Sequence, residues 1–313
     1  MKFSSIDQHV CQAICISLVC LVLNSSVHAD VIALSQFDSS TVFSDLDDPS
    51  MPDSDPTVFG IGNDLSFVDL SVGGNSVVNV TGANISANGF FSGNSTLNVS
   101  GGSIGSFLTL QDQATANISG GTVSGLEVFD SGTGATSPSI NISGGDVSLG
   151  LSFPSTDIVI SGGSVSTPDV NLSDGSLLMT GGSLDATSFF LSDGAQATIS
   201  GGTLQEVFFL DIFGSGSALN LVGDFMLITN NDDPFDPFFG IPISTPATGT
   251  ITDIAFDSVL EGTLGDGSPV RFSGIGLGDG GVINISSIPE PNSMILISLA
   301  GMVGLLPRRK QVS

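Results

Sequence analysis

The residues that could do chemistry are few, and most sit at the wrong end of the chain. Both histidines (His9, His28) and all three cysteines (Cys11, Cys15, Cys20) fall within the first 28 residues, and Trp and Tyr are absent. Of 31 acidic residues only Asp7 and Glu290 lie outside residues 30–288, which leaves 29 carboxylates there against one cation, Arg271. Ser-His-Asp hydrolysis, thiol catalysis, Schiff bases and histidine-bound zinc or iron each need a residue type that this stretch lacks. A glycosidase needs only two suitably separated carboxylates, and Asp232-Asp233 invites that reading, but no cation, Tyr or Trp platform accompanies the pair. A lyase needs a base, and only Arg271 is available. No enzymatic activity is expected.

Calcium is the better candidate among ligands. Asp45, Asp47, Asp48, Asp53 and Asp55 crowd together, and Asp232, Asp233 and Asp236 crowd beside Asn230 and Asn231. Hard cations take oxygen ligands of this kind. Neither group has EF-hand spacing, since the loop opened by Asp45-Leu46-Asp47-Asp48-Pro49 lacks glycine at its sixth position. A solvated acidic surface that maintains solubility is the leading reading, with weak calcium binding as the alternative and no other cofactor. A body charge of 29 carboxylates against one arginine, −28, excludes nucleic acid as a partner and opposes anionic membrane surfaces.

The two ends read as addresses. Lys2, the apolar run Ile14–Leu23 and the small-residue pattern Val27-His28-Ala29 make residues 1–29 a secretory signal peptide. Cleavage after Ala29 removes every thiol, so no disulfide is expected in the mature chain. At the other end stand Pro289-Glu290-Pro291, an apolar run from Met294 to Leu306, and Arg308-Arg309-Lys310. The run is short for a membrane-spanning helix, and the basic cluster would stay cytoplasmic by the positive-inside rule. This order resembles the PEP-CTERM sorting signal, over about the last 25 residues of the 313. The resemblance implies processing by an exosortase, transient anchoring through a short transmembrane helix, and delivery to the cell envelope surface or the extracellular matrix. It implies nothing about the body of the chain.

What positions any site is a repeat. An apolar–polar–apolar triplet followed by Ser or Thr and Gly-Gly recurs as Leu97–Gly102, Ala116–Gly121, Ile140–Gly145, Ile158–Gly163, Leu177–Gly182 and Ala197–Gly202. Weaker copies, Val78–Gly82 and Leu219–Gly223, bracket the set, and the first glycines are spaced by 19, 19, 24, 18, 19, 20 and 22 residues. Such a period belongs to solenoids. The glycine pairs Gly101-Gly102, Gly120-Gly121, Gly144-Gly145, Gly162-Gly163, Gly181-Gly182 and Gly201-Gly202 supply a bend, because glycine tolerates positive φ. Further apolar positions follow at Ile104, Val123, Val147, Val165, Leu184 and Leu204. An alternating patch comes next: Leu108/Leu110, Leu126/Val128, Leu151/Phe153, Val170/Leu172, Phe189/Leu191 and Val207/Phe209.

These patterns predict an all-β fold, a right-handed parallel β-helix of about 19-residue coils, with a β-sandwich or β-roll as the alternative. Asn79, Asn98, Asn117, Asn141 and Asn220 share one register and predict an asparagine ladder. Extra residues at 130–138 and 211–216 predict loops inserted at one corner. The division reads as residues 1–29 signal peptide, 30–58 acidic lead-in or cap, 59–232 solenoid, 233–288 C-terminal β segment and 289–313 sorting signal. The later β segment forms either terminal coils or an antiparallel cap over the sheet edge. The expected function is that of a secreted, non-enzymatic structural or adhesive protein, with extracellular polysaccharide as a candidate partner. The alternative is a carbohydrate-active enzyme or glycan-binding module on the same scaffold.

Overall fold

The computed structural model describes residues 31–33, 58–61, 69–86, 88–105, 107–129, 137–150, 153–205, 207–229, 243–256 and 258–287. Residues 1–30 and 288–313, where both sorting signals are expected, lie outside the described residues. The chain is a β-solenoid of parallel coils, each about 19 residues, stacked over about seven turns. From Val58 to Phe213 every strand pairing is parallel, with Leu97 beside Val78 and Ala116, and Ile158 beside Ile140 and Leu177. That pattern excludes the sandwich and roll alternatives, whose strands would pair antiparallel.

Three strand segments per coil form three faces. The first face takes the apolar triplets, and its inner positions line up as Val80, Val99, Ile118, Ile142, Ile160, Met179, Ile199 and Leu221, each in register with the next. All are almost completely shielded from solvent. No coil could cover these side chains alone, and stacking removes them from water at about 25 cal/mol per Å² of apolar area. The second face, beyond the glycines, stacks Ile85, Ile104, Val123, Val147, Val165, Leu184 and Leu204. The strand runs on through the glycine corner, as in Thr115–Val128, but the buried positions jump from Ile118 to Val123. One extra residue at the bulge changes the inward parity, turning the sheet without breaking it.

The third face carries Leu108/Leu110, Leu126/Val128, Val170/Leu172 and Phe189/Leu191 inward as the alternation predicts. Two of its rungs differ from expectation. Leu126 is paired with Leu149, while Leu151 lies outside the described residues. In the last repeat Leu210 and Ile212 point inward beside Phe189 and Leu191, whereas Phe209 is 50% exposed. Val207 is buried but sits before this strand, bridged to Phe272. Leu204 to Leu210 is one residue longer than Leu184 to Phe189 in the coil before it, and that residue ahead of the strand shifts its phase by one. For the same reason Asp211 belongs to the strand Phe209–Phe213 and not to an inserted loop.

The C-terminal segment combines what the sequence left as alternatives, an antiparallel cap and further coils. The strand Ala218–Thr229 starts in the first face and then leaves the stack, pairing antiparallel with Ile243–Ala247 on one side and Val259–Leu264 on the other. A hairpin joins Val259–Leu264 to Pro269–Phe272. The chain then re-enters the stack: Ile275–Gly278 lies parallel to Phe209–Phe213, and Val282–Ser286 parallel to Ala218–Val222. Phe272 meets Phe189 edge-on at 6.5 Å, keying this region into the solenoid core. Gly249–Ile251 runs antiparallel along Val282–Ser286 and covers that strand's outer edge.

Candidate functional site

The repeated glycines are distinct in role within each pair. The second of each pair, Gly102, Gly121, Gly145, Gly163, Gly182 and Gly202, has φ between 77° and 94°. The first lies at ordinary φ but is pressed against the coil before it: a Cβ on Gly120 would stand 2.7 Å from the Ser100 carbonyl oxygen. Gly101, Gly144, Gly162, Gly181 and Gly201 occupy the equivalent place. The serine ahead of the pair donates its hydroxyl to a carbonyl one coil back, as Ser119 Oγ does to Val99 at 3.3 Å and Ser161 Oγ to Ile142 at 3.4 Å. The phrase Ser-Gly-Gly is therefore a hydrogen-bonded corner that brings successive backbones close together.

Outward on the first face runs the asparagine ladder. Asn98 Nδ2 donates to Asn79 Oδ1 at 2.8 Å, Asn117 to Asn98 at 2.9 Å, and Asn141 to Asn117 at 2.9 Å. Val159 and Leu178 then interrupt it. It resumes where Asn284 donates to Asn220 at 2.8 Å, and Thr250 donates its hydroxyl to Asn284, closing the column. Asn220 itself reaches back to Thr198 and Gln196. Asn98 and Asn117 each use one donor and one acceptor within the ladder, while Asn79 accepts and Asn141 donates at the two ends of this run.

A second corner, between the third and first faces, was not anticipated. Asp112, Asp174 and Asp193 have φ of 59°, 53° and 54°, Asp279 has 46°, and Gly74, Gly93 and Gly214 take the same left-handed conformation elsewhere in the stack. Aspartate tolerates this region better than most residues. Part of the acidity therefore shapes turns: Asp112 accepts from the Gly93 N–H, and Ser173 donates to Asp193 at 2.9 Å. The recurring Ser-Asp-Gly at 173–175 and 192–194 carried the signal.

The cap supplies two further features. Asp266, in the hairpin turn, accepts from Gly202 N at 2.6 Å and Ser268 N at 2.9 Å, so it caps the last glycine corner. These two backbone bonds, with Gly202 the larger influence, hold its carboxyl below the ordinary value of 3.8. Beside it the antiparallel strands and the end of the second face enclose an open cavity of about 780 Å³. Leu204, Phe225 and Val270 make its apolar wall, and Asp224, Glu261 and Arg271 line it as well. Glu261 lies directly opposite Arg271 in the antiparallel pairing.

Asp45, Asp47, Asp48, Asp232, Asp233 and Asp236 lie outside the described residues, as do Pro289, Glu290, Pro291, Arg308, Arg309 and Lys310. Among the described residues no group of three or more His, Cys, Asp or Glu is arranged to hold a metal ion, and no helix is long and apolar enough to cross a membrane. Comparison with protein-family models, with curated proteins and with solved structures finds no match to this chain.

Proposed function

We propose that this chain is a secreted, non-enzymatic structural or adhesive protein, exported by its N-terminal signal, held at the inner membrane, and passed by an exosortase to the envelope surface or matrix. The Pro289-Glu290-Pro291 motif, the apolar run and the terminal basic cluster support the sorting half of this reading. The observation that carries the structural half is the solenoid itself. Its outward columns present the same side chain coil after coil, as in Asn79, Asn98, Asn117 and Asn141, and such a lattice suits contact with a repeating polymer. Extracellular polysaccharide is the partner of choice, with calcium bridging the carboxylates to acidic glycans where both are present.

Cell fractionation tests this. The wild-type chain is expected in the matrix or medium, and the Pro289→Ala/Pro291→Ala variant in the membrane. Equal distribution of the two would remove the sorting reading. A second reading, a carbohydrate-active enzyme, is favoured by the cap cavity, which places Asp224 and Glu261 in one open space of ligand size. Polysaccharide turnover by the purified protein, abolished by Glu261→Gln, would establish it.

A further inference from the structure

Seven phenylalanines are exposed among the described residues: Phe90, Phe107, Phe129, Phe208, Phe209, Phe213 and Phe256. Six of them lie on the third face or at the corners that bound it, with exposures from 40% at Phe90 to 60% at Phe107 and Phe129. Scattered apolar residues at a surface need no explanation, and Leu178 on the first face is one, but the gathering of six of the seven rings at one face of three does. The outward positions of the other faces go chiefly to Ser, Thr, Asn and Asp, as in Thr96, Asn98, Ser103 and Asp146.

The six fall into two groups. Phe90, Phe107 and Phe129 occupy early coils, and Phe208, Phe209 and Phe213 the last full one. Five coil steps separate Phe107 from Phe209, about 24 Å at a strand spacing of about 4.8 Å. In both groups a ring leans on a glycine of the following coil: Phe107 Cδ1 lies 3.0 Å from where a Gly125 Cβ would be, and Phe209 Cδ1 lies 3.5 Å from that of Gly274. The final rung of this face, Ile275–Gly278, is flanked by Gly274 and turns Gly276 and Gly278 outward. Its outward positions carry no side chains of their own: Phe209 lies against Gly274, the Asp211 carboxylate lies over Gly276 and Phe213 stands beside Gly278, all from the neighbouring strand. Those three side chains alternate outward along about 13 Å of strand.

We propose that the third face is a binding surface for an uncharged polysaccharide, the rings receiving its C–H faces and the Asp211 carboxylate accepting from its hydroxyls. The proposal rests on the matrix reading above and gives that reading a site and a ligand class. Charge narrows the choice of occupant. A body of −28 repels acidic polymers, anionic membranes and a second copy of itself. An uncharged glycan escapes that penalty and combines apolar faces with hydroxyl groups at the scale of the Phe-Asp-Phe row.

The test is affinity electrophoresis of the full chain through gels carrying hydroxyethylcellulose, galactomannan, dextran or alginate. Retardation by at least one of the three neutral polymers is expected, and none by alginate in the absence of calcium. Phe208→Ser/Phe209→Ser/Phe213→Ser should weaken the interaction about tenfold or more. Phe209→Leu/Phe213→Leu, which keeps apolar bulk and protects the fold, should weaken it as well, because the ring is what stacks. Circular dichroism of each variant should match the wild type. No retardation by any neutral polymer, retardation unchanged in the serine and leucine variants, or retardation by alginate alone would each overturn the proposal. So would a dimer in sedimentation that the serine variant dissolves. A chain that stays in the matrix after both sets of substitutions would leave the sorting and matrix reading standing while removing this site.

Discussion

The first and third faces are made by the same coils, yet they repeat in different senses. On the first, the residue identity recurs: Asn79, Asn98, Asn117 and Asn141 hold one register because each bonds to its own equivalent in the adjoining coil. On the third, only the burial pattern recurs. Its outward positions read Phe90, Thr109, Glu127 in one run and Asn171, Phe190, Asp211 in another. A hydrogen bond between equivalents demands the same donor and acceptor at every rung, whereas a strand with one buried side asks only for alternation. The face free of the ladder's constraint is the one that has accumulated exposed rings.

Substitutions can break this contrast. The largest effect is expected at the glycine corner, which joins the first face to the second and sets the path of every coil. Gly121→Val would force a branched side chain onto φ of 81° with the Gly102 carbonyl oxygen 2.6 Å from its Cβ. A loss of about 4 kcal/mol or more in urea unfolding is expected. Gly82, where a Cβ meets nothing within 4 Å, is the control: Gly82→Ala should be neutral or stabilising by up to about 1 kcal/mol. Ile142→Ala, in the shared interior, should cost about 2–5 kcal/mol by the same measurement.

Asn117→Ala removes one ladder bond on each side and should cost about 1–2 kcal/mol, while Phe209→Ala on the third face should stay within about 0.5 kcal/mol. Equal costs for these two would erase the distinction between the faces. Asp266→Asn should have a smaller, pH-dependent effect than Asn117→Ala. A carboxyl held below its unfolded value contributes stability above that value and loses it as pH falls through the folded one. The wild type should therefore melt higher than Asp266→Asn near neutral pH, and the two should converge as pH falls below the ordinary carboxylate range and the carboxyl takes up its proton.

Much of this architecture was legible because the inner columns are chemically redundant: a glycine pair every 19 or so residues fixes the register, and Val99, Ile118, Ile142, Ile160 and Met179 fall into one line. The phase of the last third-face strand was not. In Phe208-Phe209-Leu210-Asp211-Ile212-Phe213 the alternation Phe208/Leu210/Ile212 competes with Phe209 and Phe213 around Asp211, and the pairing of Leu210 and Ile212 with Phe189 and Leu191 makes the first the inward one. The exposed rings were hidden by the same ambiguity, since a phenylalanine in an alternating run reads as core. The left-handed aspartates were missed because an acid beside glycine reads as solvated surface when its backbone conformation is unseen. The division of labour in Gly-Gly also needed coordinates, because crowding by an adjacent coil leaves no mark in a single repeat.

The strand Gly249–Ile251 crosses the direction of the stack to lie on Val282–Ser286. A further parallel rung, whether from this chain or another, would need the backbone groups that this strand has already taken. On the first face the next rung is thus blocked by geometry, and the column that templates each coil on the one before it ends at that strand.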